Sequence, residues 1–308
     1  MITATTPGKV ILFGEHAVVY GRPAIAVPVT QVKATASIDA ARSGRGTTIL
    51  STDLARVLRL RDAAPDDPLA AIIRATLAHL DRPEPDANIT VHSTIPIASG
   101  LGSGAAVSAS IVQALARFYE RVIDEAAVSS LVYEVEKIHH GTPSGIDNTV
   151  VAYARPVYFV RDRPIQTLAL KRPITLAIGD TGVQSPTKIA VGDVRLAWEA
   201  DRPRYERLFD EIGAIAERAR AALESGDIES LGPLMDHNQA LLREVGVSSD
   251  ALERLVQTAK RAGAAGAKLV GAGRGGNMIA LVDGTTQAAV ERALLDAGAR
   301  GMIVTTVN

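Results

Sequence analysis

Apolar and polar positions along the first half of the chain predict short strands followed by helices. Candidate strands fall near residues 2–6, 9–13, 24–30, 33–40 and 47–51. At Pro68 the period changes, and Leu69, Ile72, Ile73, Leu77 and Leu80 fall on one face of a helix. Ala87–His92 alternates like a half-buried strand. A helix is expected over residues 104–121, with Val107, Ile111, Leu115 and Phe118 along one side. Asp124 reads as the N-cap of a further helix whose stripe is Val128, Leu131, Val132, Val135 and Ile138. Residues 149–160 return to a strand pattern.

The pattern shifts after Arg161, where Pro164 and Pro173 punctuate a linker. Ile174–Ile178 predicts a strand, and residues 187–262 a long helical region broken near 201–203, 225–227 and 246–249. Lys268–Val270 and Asn277–Val282 read as strands around a glycine turn, before a helix at 286–297 and a last strand at 301–307. That order suits an α+β sandwich of the split-βαβ kind. The domain boundary is expected near residues 165–172, giving domains of 1–168 and 169–308.

Composition narrows the function classes. A chain of 308 residues is long for one core and comfortable for two domains. Apolar content of 47% with 22% charge fits a globular enzyme. A net charge of −1 supplies no basic field for nucleic acid or an anionic membrane. The absence of cysteine excludes disulfides, thiol nucleophiles and cysteine-ligated metal. No apolar run approaches a membrane span, and Lys9, Glu15 and Arg22 interrupt the first thirty residues, so a cytoplasmic protein is expected.

Three segments carry chemistry. Residues 7–21, Pro-Gly-Lys-Val-Ile-Leu-Phe-Gly-Glu-His-Ala-Val-Val-Tyr-Gly, place Lys9, Glu15 and His16 in an apolar stretch, where ionisable groups are paired or working. Gly100-Leu101-Gly102-Ser103-Gly104, after Pro96, opens a helix and forms a phosphate cradle, or else a plain strand-to-helix turn. Glu136 near a helix end is either a solvated residue or a metal ligand. The irregular Gly141-Thr142-Pro143-Ser144-Gly145 then delivers Asp147 to the start of an apolar strand, as a turn cap or an acid–base group. An anion cradle, a metal-capable carboxylate and a base-capable aspartate are the parts of a phosphoryl-transfer site.

Other motifs drop out. The glycine needed five residues before Gly8-Lys9 is Thr3, so no Walker loop is present. Gly271-Ala272-Gly273-Arg274-Gly275-Gly276 formally matches a dinucleotide fingerprint, but a strand pattern follows it instead of a helix. It reads as a tight β–β turn or a second backbone wall at the active site, with Arg274 facing phosphate or solvent. His139 and His140 lack zinc-site spacing and are given a structural or substrate-edge role.

Together these segments resemble the GHMP superfamily of small-molecule kinases, and within it the mevalonate kinases. The Lys-x5-Glu-His-x3-Tyr-Gly spacing and His140-Gly141-Thr142-Pro143-Ser144-Gly145-Ile146-Asp147-Asn148 carry the likeness, which covers the whole chain. It implies a ribosomal-protein-S5-like N-terminal domain and a ferredoxin-like C-terminal domain, with ATP and mevalonate in the cleft between them. The implied reaction is phosphorylation of the primary 5-hydroxyl of mevalonate in isoprenoid precursor synthesis. By the resemblance Asp147 is the catalytic aspartate and Lys9 the lysine paired with it. Glu15, His16 and Thr187, in Ser185-Pro186-Thr187-Lys188, fall at substrate positions. Pro96, Gly100, Leu101, Gly102, Ser103 and Gly104 form the ATP loop, and Glu136 binds Mg2+. The family's second loop serine, a metal ligand, is Gly104 here, which leaves Glu136 and Ser103 for the metal. Arg274 and Asn277 stand where small residues are common. A phosphomevalonate kinase, a mevalonate 3-kinase and an inactive ligand sensor remain as alternatives, and a homodimer is an open assembly. A phosphomevalonate enzyme would gather more cations than Lys9, Arg22 and Arg274.

Overall fold

A computed structural model describes residues 1–96, 99–140, 143–184 and 187–308, without the side chains of His139 and His140. The roles expected of those two histidines, the Gly141-Thr142 part of the loop and Ser185-Pro186 therefore lie outside the described residues. The chain forms two compact units. The first comprises Met1–Gly8, Val32–Pro96 and Gly102–Ala154, and the second residues 9–31, the segment ending at Leu101, and Arg155–Asn308.

In the first unit the sheet begins with β1 (Ile2–Phe13) and β2 (Ala24–Ala40), which pair and each continue into the second unit. The sequence pattern suggested two strands in each of these places. Neither Pro7 nor Thr30-Gln31 breaks its strand, although each interrupts the apolar run. β3 (Thr47–Ser51), β4 (Arg56–Arg59), α1 (Pro68–His79) and β5 (Ala87–Ser93) follow. β5 lies antiparallel to β2, from Ala34↔Ser93 to Ala40↔Ala87, and parallel to β3. Three helices complete the unit: α2 (Ser103–Phe118), α3 (Glu125–His140) and α4 (Ile146–Tyr153). The Asp67 carboxylate caps α1 through the Ala70 N–H, with Pro68 in the first turn. Asp124 caps α3 through the Ala127 N–H, as its sequence position suggested.

α4 is a departure from the sequence reading, which placed strand there. Thr149, Val150 and Val151 favour strand by side-chain type, but local hydrogen bonds decide otherwise. Gly145 starts the helix in the left-handed region at φ 93°, and the Thr149 hydroxyl donates back to the Gly145 carbonyl at 2.6 Å. The strand shrinks to β6 (Val157–Phe159), paired with β2 over Ala24–Ala26 in the second unit.

The expected linker contains β7 (Gln166–Thr167), which pairs with β6. The rest of the second unit follows the predicted order. It runs β8 (Ile174–Asp180), α5 (Thr187–Ala200), α6 (Arg202–Ser225), α7 (Leu231–Val245), α8 (Asp250–Arg261), β9 (Gly266–Leu269), β10 (Asn277–Val282), α9 (Gln287–Asp296) and β11 (Gly301–Val307). The strands form one antiparallel sheet in the order β11-β8-β10-β9. The first strand thus sits inside, beside the last, as in a ferredoxin-like sandwich. Its core holds Leu176, Ile178, Leu255, Ile279 and Leu294. Among the described residues no helix is long and apolar enough to cross a membrane.

Candidate active site

In the first unit α2, α3 and α4 carry the predicted cradle, carboxylate and base. Gly102 caps α2 with φ 74° and ψ 31°, a conformation open to glycine, and no side chain caps the helix there. The N–H groups of the first turn are the donors that an anion would use. Ser103 is the first helical residue, and Gly104 lies in the first turn with no positive φ. Pro96 is exposed.

Glu136, on α3, is buried at 7% exposure. A Cβ on Gly104 would stand 3.4 Å from Glu136 Oε1. The missing side chain therefore leaves open space directly beside a buried carboxylate at a helix N-terminus. Asp147 lies in the first turn of α4, not at a strand start, and is half-buried. The next residue, Asn148, is buried and locks α4 to α3. Its Nδ2 donates to the Ser129 carbonyl at 3.1 Å and to Ser129 Oγ at 2.9 Å. Glu136 and Asp147 thus ride on two helices fastened to each other.

In the second unit Lys9 sits in β1 with 2% exposure, and its backbone N–H donates to the Leu101 carbonyl at 3.0 Å. That bond fixes Leu101, also buried, beyond Gly100, whose φ is 81°. Glu15 is wholly buried and ion-paired with Lys268 of β9, so the structure gives it a supporting place and no exposed face for a substrate. Burial pushes the Glu15 carboxyl up and the Lys268 amine down from their ordinary values, while their mutual attraction opposes both shifts. His16, at φ 60° and 5% exposed, shares a 3.1 Å hydrogen bond between its Nε2 and the Ala272 carbonyl. A carbonyl only accepts, so the proton is on Nε2 and Nδ1 is left as an acceptor. Burial first, and Arg274 to a smaller degree, lower the His16 pKa to about 4.

The two candidate arginines are already engaged. Arg22 binds both Glu206 and Asp210 of α6, the latter at 2.8 Å, and Tyr20's carbonyl at 2.7 Å. Arg274 is exposed and pairs with Asp193 of α5. Thr187 is exposed at the start of α5. The glycine turn after β9 is a tight β–β connection, as predicted. Cβ atoms at Gly273 and Gly275 would collide with the carbonyl oxygens of Val247 and Val183.

Two residues escaped sequence reasoning. Lys268 is an ionisable group inside an apolar strand, the same signal that singled out Lys9. Asn277 was visible only as an unusual residue after the glycines. Its side chain is buried and reaches Ser99.

The family model described as "GHMP kinases N terminal domain" matches residues 69–155, and "GHMP kinases C terminal" matches residues 219–300. The mevalonate kinase of Pyrococcus abyssi is 32% identical over 98% of this chain and 95% of its own. The crystal structure of L. major mevalonate kinase in complex with R-mevalonate is 28% identical, with a TM-score of 0.84 over 99% of this chain and 95% of that one. A Streptococcus pneumoniae phosphomevalonate kinase superposes with a TM-score of 0.86 over 100% of both chains, but at 18% identity, a likeness of fold alone. The chain belongs to the GHMP kinase family, among its mevalonate kinases.

Proposed function

We propose that the protein transfers the γ-phosphoryl group of ATP to the primary 5-hydroxyl of mevalonate, giving 5-phosphomevalonate and ADP. One observation carries the choice of substrate. Identity above 30% runs the full length of mevalonate kinases, whereas the phosphomevalonate kinase shares the fold at 18%. The engaged arginines support the same choice. The distal phosphate of a phosphomevalonate substrate needs free cations, and Arg22 and Arg274 are each bound to carboxylates.

In this reading the hydroxyl oxygen attacks the γ-phosphorus, the bond to the bridging oxygen breaks, and ADP leaves. Asp147 takes or aligns the hydroxyl proton, and Lys9 offers positive charge to the hydroxyl and the transferring group. The N-terminus of α2 and the backbone of residues 100–104 receive the phosphates. Pro96 flanks that loop. His16 and Thr187 face the substrate, and Glu15 supports His16 from the core. ATP and catalysis are assigned to the domain of residues 1–168. An enzyme that uses ATP in this way is expected in the cytoplasm.

Mg2+ fits the residues present. Among the described residues no group of three His, Asp or Glu side chains is placed to hold a metal. Magnesium asks for less, keeping several waters and taking one or two protein oxygens beside substrate phosphates. Glu136 and Ser103 would hold it, with the space beside Gly104 open to water. When bound it supplies positive charge for the phosphate oxygens.

A coupled ADP-release assay over mevalonate, phosphomevalonate, galactose and homoserine tests the reading. Phosphorus NMR of the product locates the new phosphate. Turnover with mevalonate and a 5-phosphate product is expected. Preference for phosphomevalonate, or a 3-phosphate product, overturns it.

A further inference from the structure

The glycine turn between β9 and β10 lies along the Ser99–Leu101 segment of its own unit. Asn277, the first residue of β10, is 3% exposed, and its Nδ2 donates to the Ser99 carbonyl at 2.6 Å. A Cβ on Gly276 would stand 3.3 Å from that same oxygen, and one on Gly271 would stand 3.7 Å from Gly100 Cα. Two residues on, the Leu101 carbonyl accepts from the Lys9 N–H at 3.0 Å. The glycine segment is therefore fastened at both ends, with Gly100 between the two anchors.

Asn277 is itself held firmly. Its carbonyl accepts from the Val270 N–H at 3.1 Å, and it sits opposite Asp180 in the sheet register. Thr181 donates to the Gly276 carbonyl through its N–H at 2.9 Å and its hydroxyl at 2.7 Å. The turn is tied on both flanks, by Gly276 N–H to Val183 at 2.8 Å and by Arg274 N–H to Val247 at 2.6 Å. A rigid strand end thus presents a side-chain amide to a glycine loop.

We infer that Asn277 is a positioning residue for nucleotide binding, presetting the backbone of the Ser99–Leu101 loop through the Ser99 carbonyl. The inference rests on the kinase reading above. A loop containing glycine has many unbound conformations, and ordering it costs conformational entropy. A clamp made in the free protein removes part of that cost from ATP binding. Here it is a side-chain hydrogen bond to a carbonyl of a buried residue, Ser99, 6% exposed. Losing the donor removes this hydrogen bond from the Ser99 carbonyl and loosens the loop at that anchor.

The test compares the full chain with Asn277→Ala and Asn277→Asp, the second keeping the shape while removing the donor. ATP binding is measured by calorimetry with magnesium in excess, and exchange of the Lys9 amide by NMR without nucleotide. Both variants are expected to bind ATP about 10-fold more weakly, the range of one buried hydrogen bond. KM for ATP rises by the same factor and KM for mevalonate stays put. The Lys9 amide exchanges faster while Val304 in β11 does not, a pattern that general destabilisation does not produce. Should both variants fail to fold, Asn277→Ser is read by the same measurements. ATP affinity within about twofold of wild type in a folded variant, or unchanged Lys9 exchange, overturns the inference. A wild type that binds ATP and phosphorylates something other than mevalonate refutes the substrate reading alone, because binding and exchange still decide the clamp.

Discussion

The Glu15 carboxylate and the Lys268 ammonium form an ion pair with 0% exposure on both sides, joining the residue before His16 to β9. Lys268 Nζ also donates to the Leu269 carbonyl at 2.7 Å, while Glu15 Oε2 has no hydrogen-bond partner among the described residues. With the bond between His16 and Ala272, the pair fastens the His16 turn to the glycine turn. Breaking one partner leaves an uncompensated buried charge, whereas removing both does not. Glu15→Gln and Lys268→Met are each expected to cost about 3–5 kcal/mol of stability, and the double variant far less than their sum. Urea unfolding of the four proteins measures it. Additive losses would show that the two charges do not depend on each other.

Asp147 has a different sensitivity. It sits half-exposed in the first turn of α4, where a carboxylate favours the helix N-terminus by about 0.3–1 kcal/mol. Asp147→Asn should therefore fold with a small loss while turnover falls about 10²–10⁴-fold, the usual effect of removing a positioned base. ATP affinity should be retained. Near-normal turnover in Asp147→Asn removes the residue from the proton-transfer role.

These residues also show what the sequence could reveal. The ferredoxin-like half was legible because its helices carry strong periodicity and its breaks carry Asp201, Gly226 and Gly246. α4 was not, because three β-branched or strand-favouring residues outvoted a cap that exists only once Gly145 turns left-handed. Lys9, Glu15 and His16 stood out as ionisable groups in an apolar run. Their partners did not, since Lys268 lies 253 residues from Glu15 and no local pattern links them. Arg22 looked like a free cation, but Glu206 and Asp210 meet it only through the packing of α6.

His16 makes the fold acid-sensitive. Its pKa in the folded chain is about 4, below the ordinary 6.5, so the folded state resists protonation. The unfolded chain takes up the proton first as pH falls. The contribution of neutral His16 is thus present above pH 6.5 and lost progressively as pH drops towards about 4. Its full size is about 3 kcal/mol. His16→Gln keeps a donor for the Ala272 carbonyl and cannot titrate. Urea midpoints between pH 7 and 4 should fall less steeply in His16→Gln than in wild type. Parallel curves would place the acid sensitivity elsewhere.

By the resemblance Gly104 stands where a metal-binding serine is expected, and the structure frames what a serine there would do. Gly104 is exposed, helical and in the first turn of α2. Serine suits that backbone and gains about 0.5 kcal/mol over glycine in helix propensity. Its Cβ would stand 3.4 Å from Glu136 Oε1, close to that carboxylate without collision. Two effects then compete. The new hydroxyl donates to the carboxylate and occupies one of its oxygens, or it turns outward and replaces a water on the magnesium. The first weakens the metal site and the second strengthens it. Magnesium's demand for oxygen ligands decides for the second, because a hydroxyl bound to the metal can still donate its proton to Glu136. Gly104→Ser should keep turnover within about twofold of wild type and lower the magnesium concentration needed for half-maximal rate. Glu136→Gln in the same titration should raise it. A collapse of ATP affinity in Gly104→Ser with an unchanged circular dichroism spectrum would show instead that phosphate needs the bare backbone at this position.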